Sequence, residues 1–472
     1  MSYLYQGLSR ELMSSIDEGV YRVGERMPGV RQLSDQRQLS VSTVVAAYRE
    51  LEDRGYVEAR RRSGFYVRQR LRPSLSEPME STPERRPVPV NNQELVLRMV
   101  QSAGDRAMIK LGAAVPHPRF LPVAMLEKAI NHTLRQHRAE VNTYQFPPGL
   151  PALRQQLARR MREWGCRVDP EEIIITNGCQ EALLLALRAL TSPGDTVALE
   201  SPCYYSLLQI LETLGLNALE IPTHPRDGIS LDALQLALEQ WSVKACIVVP
   251  SFSNPLGYCM SDERKQQLVS LLARHKVPLL EDDVYGDLQS SGPRPTPAKR
   301  WDNAGNNLYC SSFAKSLSPG LRVGWVVAGK YREQIEYLKF VHSVSTLSLP
   351  QLVLARLLEN GQYERALKQP RLDYADAVSQ MLDGVQKHFP AETRITQPQG
   401  GFLVWVELPE EIDCFRLAQD ALQEGVSIAP GSLFSNSDKF SNFMRLSCAC
   451  QSHSELDTAL SRLARLIARQ AR

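Results

Sequence analysis

EEIIITNGCQEALLLAL, residues 171–187, joins a β-branched apolar run directly to an apolar helical pattern. Further runs of strand type alternate with helical patterns downstream: DTVALE (195–200), KACIVVP (244–250), VPLLEDD (277–283), NLYCSSF (307–313) and RVGWVVAG (322–329). This repetition predicts an α/β fold, a mostly parallel sheet with helices on both faces. From about Val341 to Arg472, helical patterns surround GGFLVWVELP, VSIAPG and FMRLSCA, which predicts a smaller α+β C-terminal domain.

Length and composition indicate a globular chain of more than one domain. The chain has 472 residues, whereas a common domain has about 150. Hydrophobic residues make up 43% and charged residues 23%, which excludes wholesale disorder. Without an apolar stretch of membrane-spanning length or a signal-peptide pattern, we expect a cytoplasmic protein with no membrane contact. The nine scattered cysteines favour buried free thiols over disulfides or a metal site.

The charge is distributed unevenly along the chain. The whole chain has a net charge of +3. Residues 1–72 hold 13 arginines, no lysine and 9 acidic residues, so the positive excess lies in this segment. Such asymmetry is expected when one end of a protein meets a polyanion.

The stretch from Arg68 to about Asn92, RQRLRPSLSEPMESTPERRPVPVNN, separates two parts of different composition. It holds five prolines, alternating charges and few apolar residues. This composition predicts a linker that is semi-rigid where the prolines cluster. We therefore place an N-terminal domain at residues 1–70, a linker at 71–107 and a larger domain at 108–472.

The N-terminal domain has the pattern of three helices with a short turn between the last two. Tyr3 to Glu18 carries an apolar stripe at helical spacing, and Arg31 to Gln36 forms a second helix. Ser40 is placed to cap a third helix that runs to Gly55. In a helix-turn-helix, the N-terminal residues of the last helix enter the major groove. Here these residues are Val41, Ser42 and Thr43.

A basic hairpin follows the third helix. Tyr56 to Glu58 and Gly64 to Val67 flank a tip with Arg60, Arg61 and Arg62, which predicts the wing of a winged helix. The arginines would neutralise phosphates, so DNA binding would depend on salt. The same pattern also fits a small helical domain with surface arginines, although DNA binding is favoured.

The run PGVRQLSDQRQLSVSTVVAAYRELEDRGYVEARRRSGFYV resembles the DNA-binding domain of the GntR family of bacterial repressors over nearly its whole length. The resemblance places Arg31, Ser40, Thr43 and the wing glycine Gly64 at or near DNA. With Ser42 from the start of the third helix and Arg61 and Arg62 from the wing, these residues are the predicted DNA contacts. That family commonly has arginine where this chain has Val41 and Ala46, and an apolar residue where it has Arg37. Each missing arginine removes a potential guanine contact of about 1 to 3 kcal/mol.

SSFAKSLSPGLRVGW, residues 311–325, places Lys315 just after a predicted strand, with Arg322 seven residues later. A single lysine is most often an exposed surface residue. EDDVY, residues 281–285, changes this interpretation because it puts Asp282 where open α/β sheets bind ligands, with Tyr285 close behind. By itself the carboxylate of Asp282 or Asp283 could equally cap a helix or a turn.

Further polar and aromatic residues follow other predicted strands. TNGCQ puts Gly178, Cys179 and Gln180 at a helix start, where backbone N–H groups and the helix dipole can hold a phosphate. Taken alone, this fragment also fits a simple strand-to-helix turn. SPCYY offers Tyr204 as a stacking ring and SNPLG offers Asn254 as a hydrogen-bond donor, although either could serve packing or a turn.

A lysine for an imine, an acid for a ring nitrogen, a phosphate cradle and a stacking ring are the groups that pyridoxal phosphate requires. Tyr144, in YQFPPGLPALR, and Arg445, in FMRLSC, complete the set. An arginine at such a site can bind a substrate carboxylate through two hydrogen bonds.

The ordered motifs YxxPPGxxxLR, NGxQ, PxY, NPxG, DDxY, SFxKxxxPGLRxG, PxGGFxxW and RLSxA resemble the fold-type I aminotransferases of class I, over roughly residues 108–470. The resemblance implies Lys315, Asp282 and Tyr285 as the catalytic set. Lys315 would form the Schiff base, Asp282 would face the pyridine nitrogen, and Asn254 would join Tyr285 near the ring oxygen. It further implies Tyr204 on the ring, Tyr144 at the phosphate of the partner subunit's site, Arg445 on the α-carboxylate, and Gly178, Cys179, Gln180, Ser312 and Arg322 around the phosphate.

A GntR-like domain, a proline-bearing linker and an aminotransferase-like domain in this order resemble the MocR subfamily of transcriptional regulators. The resemblance implies a homodimer, with domain exchange between subunits as one arrangement. It further implies that pyridoxal phosphate, double-stranded operator DNA and an amino acid or amine effector bind to it. Two alternatives stay open: a functional aminotransferase with an accessory DNA-binding domain, and an N-terminal domain that serves only dimerisation.

Overall fold

The computed structural model describes residues 4–17, 20–21, 24–60, 63–67, 75–90, 108–437, 439–450 and 452–471. The chain divides into two compact units, Met1–Ser74 and Leu75–Arg472. Arg61 and Arg62, two of the predicted DNA contacts, lie outside the described residues, as do residues 68–74 and 91–107 of the predicted linker region.

The smaller unit is a winged helix-turn-helix, as its sequence predicts. Its described elements are α1 (Leu4–Asp17), α2 (Val30–Arg37), α3 (Val41–Asp53), β1 (Val57–Arg60) and β2 (Gly64–Val67). The two strands pair antiparallel, with Arg60 opposite Gly64 at the tip.

An aromatic contact fixes α3 against the wing. Tyr48, fully buried on α3, stacks on Phe65 of β2 with ring centroids 4.6 Å apart. Its hydroxyl donates a hydrogen bond of 2.6 Å to the carbonyl of Pro28, and burial raises the pKa of Tyr48 above its usual range. The Tyr48 side chain therefore connects α3 to strand β2 of the wing and to the segment that precedes α2.

The larger unit alternates strands and helices. Its strands are β3 (Val88–Pro89), β4 (Ile109–Lys110), β5 (Ile173–Thr176), β6 (Thr196–Ser201), β7 (Asn217–His224), β8 (Gly228–Ile229), β9 (Val243–Val248), β10 (Leu279–Asp282), β11 (Asn307–Ser312), β12 (Gly324–Val327), β13 (Arg394–Ile395), β14 (Leu403–Glu407), β15 (Val426–Ser427), β16 (Ala429–Pro430) and β17 (Phe443–Ser447). Its α-helices are α4 (Val123–Gln136), α5 (Pro151–Glu163), α6 (Cys179–Leu190), α7 (Tyr205–Thr213), α8 (Leu231–Gln240), α9 (Asp262–Arg274), α10 (Arg332–Ser343), α11 (Ser348–Glu359), α12 (Gln362–His388), α13 (Cys414–Gln423) and α14 (His453–Gln470).

The large sheet has the strand order β3-β7-β6-β9-β10-β11-β12-β5, with β8 paired to β7. Strands β7, β6, β9, β10 and β11 run parallel. Strand β12 is antiparallel to both neighbours, so β5 points the same way as β11. The mostly parallel sheet is confirmed, and five strands that precede predicted site residues end at one edge of it.

Helices cover both faces of this sheet because its strands are apolar on both sides. On β6, Leu199 packs in one core with Leu183 of α6. Its neighbour Ala198 packs in the opposite core with Leu234 of α8 and Leu268 of α9. Successive strand residues thus serve different layers, as the alternation of side chains along a strand requires.

The smaller α+β part is built on an antiparallel sheet with the order β13-β14-β17-β16. The pairing of β14 with β17 sets Trp405 opposite Arg445. The long helix α12 carries Pro370 in its interior. Among the residues the structure describes, no helix is both long and apolar enough to cross a membrane.

Residues 75–90 fall within the predicted linker, but the structure packs them against the larger unit. Val88 and Pro89 form an edge strand beside β7. The hydroxyl of Ser81 accepts a hydrogen bond of 3.1 Å from the backbone N–H of Thr223. Proline is compatible with an edge strand because one side of such a strand needs no N–H donor. The proline-containing residues 75–90 are therefore packed on the edge of the sheet and are not a free spacer.

Candidate functional site

A cavity of about 290 Å³ opens at the sheet edge where the parallel strands end. Such an edge is where open α/β sheets place their ligands. The cavity is lined by Cys179, Gln180, Leu183, Tyr204, Val249, Asn254, Asp282, Val284, Tyr285, Ser312, Ala314, Lys315 and Arg322. Most of the residues predicted for a cofactor site thus share one cavity, although they come from five separate segments of the chain.

Asp282 ends strand β10 and is 3% exposed. Its Oδ1 accepts hydrogen bonds from the backbone N–H of Val284 at 3.3 Å and from the thiol of Cys179 at 3.4 Å. Burial raises the pKa of Asp282 to about 7, against the opposing effect of the hydrogen bond from Cys179. Both hydrogen bonds end on one oxygen, which leaves Oδ2 available to a group in the cavity.

Lys315 follows strand β11 and brings its amine to the same cavity. Its Nζ donates a hydrogen bond of 2.7 Å to the carbonyl of Ala114 and lies 5.9 Å from the ring centroid of Tyr285. Burial, helped by the positive charge of Arg445, lowers the pKa of Lys315 to about 8. A lysine with a lowered pKa has a larger neutral fraction near pH 7 and is therefore a better nucleophile.

The far end of the cavity is a cradle for an anion. Gly178 has φ +90°, and a Cβ at this position would lie 2.5 Å from Nη2 of Arg322. A Cβ on Gly324 would lie 2.7 Å from the backbone nitrogen of Cys179, the first residue of α6. Both glycines keep the N-terminus of α6 open beside a guanidinium group. Backbone N–H groups at a helix start together with an arginine suit a phosphate.

Arg445 lies beside the cavity, completely buried on β17. Its Nη1 donates a hydrogen bond of 3.0 Å to Oδ1 of Asn254, and its Nη2 donates to the carbonyl of Gly112. Its Nε has no partner among the described residues. Since Oδ1 of Asn254 faces Arg445, the Nδ2 of this amide is the donor left for the cavity.

The aromatic residues of the predicted site separate into two places. Tyr204 and Tyr285 line the cavity. Burial raises the pKa of both phenols above their usual range. Tyr144, in contrast, is 69% exposed and contacts Phe146, with ring centroids 5.4 Å apart. The structure therefore does not bring Tyr144 to the cavity of its own subunit.

Sequence reasoning missed an ionic network that lies behind the cavity. Asp283, next to Asp282, accepts hydrogen bonds from Arg294 at 2.5 Å and from Tyr309 at 2.9 Å. Arg294 also bonds Asp287 at 2.9 Å. The only sequence signal was the second aspartate of EDDVY, because the partners come from distant segments. The backbone carbonyls of Gly112 and Ala114 carried no signal, since any residue supplies them.

The network continues to the segment that carries the lysine. The hydroxyl of Tyr363 donates to Oδ2 of Asp287 at 2.7 Å and is hydrogen-bonded to the hydroxyl of Ser316 at 2.7 Å. Arg160 pairs with Asp287 at 3.2 Å. Burial would raise the pKa of Asp287, but the guanidinium groups of Arg160 and Arg294 outweigh burial and hold the pKa below its usual range.

The candidate nucleic-acid surface lies at the start of α3. The hydroxyl of Ser40 caps this helix by accepting a hydrogen bond of 3.1 Å from the N–H of Thr43. Ser42 and Arg31 are exposed, the latter on α2. At the wing, Gly64 is exposed and has φ +103°, a conformation that L side chains rarely adopt.

Comparison with known proteins matches both units to families. Residues 4–67 match the model of bacterial regulatory proteins of the gntR family, and residues 107–463 match aminotransferase class I and II. The HTH-type transcriptional regulator YjiR of Escherichia coli is 40% identical over 94% of this chain and 94% of its own length. The HTH-type transcriptional regulator YdcR, also of Escherichia coli, is 38% identical over 98% of each chain.

Among solved structures, a Pyrococcus horikoshii kynurenine aminotransferase in complex with PMP superposes with a TM-score of 0.76 and 27% identity. The match covers 81% of this chain and 96% of that chain. The larger unit therefore has the fold of these aminotransferases. The chain belongs to the family of HTH-type transcriptional regulators in which a GntR-type helix-turn-helix domain is fused to an aminotransferase class I and II domain, the MocR architecture.

Proposed function

We propose that this chain is a transcriptional regulator whose larger unit binds pyridoxal phosphate and whose affinity for DNA responds to an amino acid or another amine. The observation that carries the proposal is the convergence of Lys315, Asp282 and the cradle at Gly178 on one cavity. The presence of PMP in the solved structure of a related aminotransferase supports it. We place this regulator in the cytoplasm, because its N-terminal unit matches bacterial regulatory proteins and bacterial DNA lies there.

The groups present fit this cofactor. Lys315 would form the Schiff base, Asp282 would face the pyridine nitrogen with Oδ2, and the ring of Tyr204 would stack on the cofactor ring. The backbone N–H groups of residues 178–180, with Ser312 and Arg322, would hold the phosphate. The free amide Nδ2 of Asn254 and the phenol of Tyr285 would donate to the ring oxygen. When bound, the cofactor supplies an electron sink for the substrate amine carbon.

Arg445 is the proposed anchor for the effector carboxylate. Its guanidinium is buried, keeps Nε without a partner among the described residues, and shares its remaining donors between Asn254 and Gly112. A carboxylate can accept two parallel hydrogen bonds from one guanidinium, which is stronger than two bonds to neutral carbonyls. An effector that carries a carboxylate and an amine would thus bind between Arg445 and Lys315.

A homodimer is part of the proposal. The exposed large hydrophobic residues of the larger unit include Phe146, which contacts Tyr144, Leu347, and three residues of helix α10: Tyr337, Phe340 and Val341. The rings of Phe146 and Phe340 lie 6.3 Å apart, so part of this set is contiguous. Exposed apolar surface of this kind marks an interaction site. A second copy would cover it and would receive Tyr144 at its phosphate.

The DNA-binding surface would use the start of α3 and the wing. Arg31, Ser42, Thr43 and Gly64 are proposed to approach DNA, together with Arg61 and Arg62, which lie outside the described residues. Ser40 would act through its cap, since its hydroxyl is already bonded to Thr43. Phosphate contacts by arginine make the affinity fall with rising salt.

A second function, transamination, is favoured by the shared cavity of Lys315, Asp282 and Tyr285. The lowered pKa of Lys315, about 8, suits an amine that acts both as nucleophile and as proton carrier. Asp282, Tyr285 and Arg445 are also present, so the residues of the half-reaction are complete.

The test is the visible absorption spectrum of the full chain with pyridoxal phosphate, with Lys315→Ala as control, before and after each of the common amino acids. We expect a lysine-dependent band that one class of amino acid shifts, and a matching change in affinity for selected random-sequence DNA duplexes. Absence of the band in the wild type would overturn the cofactor proposal. Equal DNA affinity with and without cofactor and amino acid would overturn the regulatory one. Loss of the band with keto acid release would instead establish transamination.

A further inference from the structure

We propose that Cys179 is a positioning residue for Asp282, and that its thiol donates a hydrogen bond which keeps this carboxylate ionised opposite the pyridine nitrogen. The inference rests on the proposed function, because it assigns a task within the proposed cofactor site. It differs from the task that the family resemblance implies for Cys179, which is contact with the phosphate.

The side chain of Cys179 points towards Asp282. Cys179 is the first residue of α6, and its Sγ lies 3.4 Å from Oδ1 of Asp282. The side chain is 8% exposed. Only the backbone N–H of this residue is therefore free for an anion in the cradle at Gly178. The thiol is directed to the carboxylate at the opposite end of the cavity.

The thiol acts as a donor because it keeps its proton. A cysteine at a helix N-terminus commonly has a lowered pKa. Here burial comes first and the negative charge of Asp282 second, and together they raise the pKa of Cys179 well above its usual value. A neutral S–H group donates to a carboxylate and favours its charged form, whereas a thiolate would repel it.

The need for a donor follows from the surroundings of Asp282. Other titratable groups that act on it or are acted on by it are Glu200, Tyr204, Asp283, Tyr285, Cys310 and Lys315. Of these, Lys315 alone carries a positive charge, and its amine would be consumed in a Schiff base. Burial and the neighbouring charge of Asp283 both favour the neutral acid. Without the thiol, the N–H of Val284 would be the remaining donor to Asp282, and the proton would move part of the way from the pyridine nitrogen to the carboxylate.

The first experiment measures the protonation of that nitrogen directly. The full chain is loaded with pyridoxal phosphate labelled with ¹⁵N in the ring, and the ¹⁵N chemical shift is recorded for wild type, Cys179→Ala and Cys179→Ser. We expect a protonated nitrogen in the wild type and in Cys179→Ser, which keeps a donor. In Cys179→Ala the ratio of protonated to neutral nitrogen should fall by about three- to tenfold, the effect of one hydrogen bond from a weak S–H donor.

Cys310→Ala is the matched control. Cys310 lies opposite Asp282 in the strand register, is fully buried and makes no hydrogen bond to that carboxylate. Removal of this thiol should leave the ¹⁵N shift unchanged. An unchanged shift in Cys179→Ala, or an equal change in Cys310→Ala, would overturn the proposal, because the thiol would then only fill space.

A second measurement covers the case in which Cys179→Ala does not fold. The infrared S–H stretching band of Cys179 is isolated as the difference between wild type and Cys179→Ser, without cofactor. We expect a hydrogen-bonded S–H band that shifts towards a free thiol in Asp282→Asn. An identical band in both backgrounds would overturn the hydrogen bond itself. Failure of the wild type to bind the cofactor would instead overturn the proposed function, so the two failures are distinguishable.

Discussion

The cavity and the ionic network meet at two consecutive residues, Asp282 and Asp283, and both bury charged groups, but the charges are paired in the network and unpaired in the cavity. In the network, Asp283, Arg294, Asp287 and Arg160 are paired with one another. In the cavity, Asp282 and Lys315 are bonded to a thiol and to backbone groups, and their pKa values move towards neutral forms. An unpaired buried charge, rather than burial alone, therefore distinguishes a ligand site from a structural one.

Arg294→Met should give the largest effect, on the network side. Arg294 bonds Asp283 and Asp287, and it lies 3.6 Å above the ring of Trp164. Its loss leaves the buried carboxylate of Asp283 without its salt-bridge partner and leaves Asp287 with Arg160 alone, which should cost about 3 to 5 kcal/mol of unfolding free energy of the larger unit. Urea denaturation of the cofactor-free chain measures it. A cost below that of an exposed arginine such as Arg226 would show that the network is not structural.

On the cavity side, Asp282→Asn should raise the unfolding free energy, whereas Arg294→Met should lower it. The pKa of Asp282 is raised from 3.8 to about 7, so the folded protein holds a proton that the unfolded chain releases. The stability of the wild type therefore falls as the pH rises through this window and stays reduced above it. At pH 8 the cofactor-free variant should be more stable by about 4 kcal/mol, and the difference should shrink to below about 1 kcal/mol at pH 4.

Asp287→Asn is the counterpart of that variant within the network. Its paired carboxylate has a lowered pKa, so its contribution is complete at neutral pH and is lost as the pH falls. We expect destabilisation at pH 7 that shrinks in acid, measured by the same denaturation series. If both aspartate variants changed stability in the same direction at pH 8, the contrast between cavity and network would be broken.

Two tyrosine variants should give the smallest effects and sharpen the contrast. Tyr363→Phe removes the hydroxyl bonded to Asp287 and Ser316, which should cost about 1 kcal/mol while the absorption maximum of the bound cofactor stays constant. Tyr285→Phe should leave stability within about 0.5 kcal/mol of wild type and shift that maximum, because its phenol faces the cavity. Thermal unfolding and visible spectra of the two variants provide the comparison.

The sequence predicted the sheet well because strands depend on local patterns, and most of the proposed cofactor residues lie on one cavity for the same reason. β-branched runs mark strands wherever they fold, and residues such as Asp282 and Asn254 follow strands that end at one edge. The winged helix was predicted for the same reason, with Ser40 as a helix cap. The packing of the predicted linker could not be predicted in this way, because the contacts of Ser81 and Val88 are with β7, which is more than 120 residues away.

Contacts between distant residues were the part that local patterns could not supply. The pairing of Arg294 with Asp283 and the stacking of Tyr48 on Phe65 depend on the packed structure. The direction of the Cys179 side chain is of the same kind, since the motif NGCQ indicates a helix start but not where a thiol points. Backbone carbonyls that accept hydrogen bonds from Lys315 and Arg445 carry no sequence identity at all.

Those two carbonyls belong to one short stretch, Gly112–Ala114, and this placement has a consequence for binding. Lys315 holds the carbonyl of Ala114, and Arg445 holds the carbonyl of Gly112. A ligand that engages both cations competes with the protein backbone for the same donors at both points. Binding of the proposed effector would thus be coupled to the position of this stretch. The backbone carbonyls thus compete with the ligand inside the protein. The net free energy of ligand binding is reduced by the cost of breaking their two hydrogen bonds.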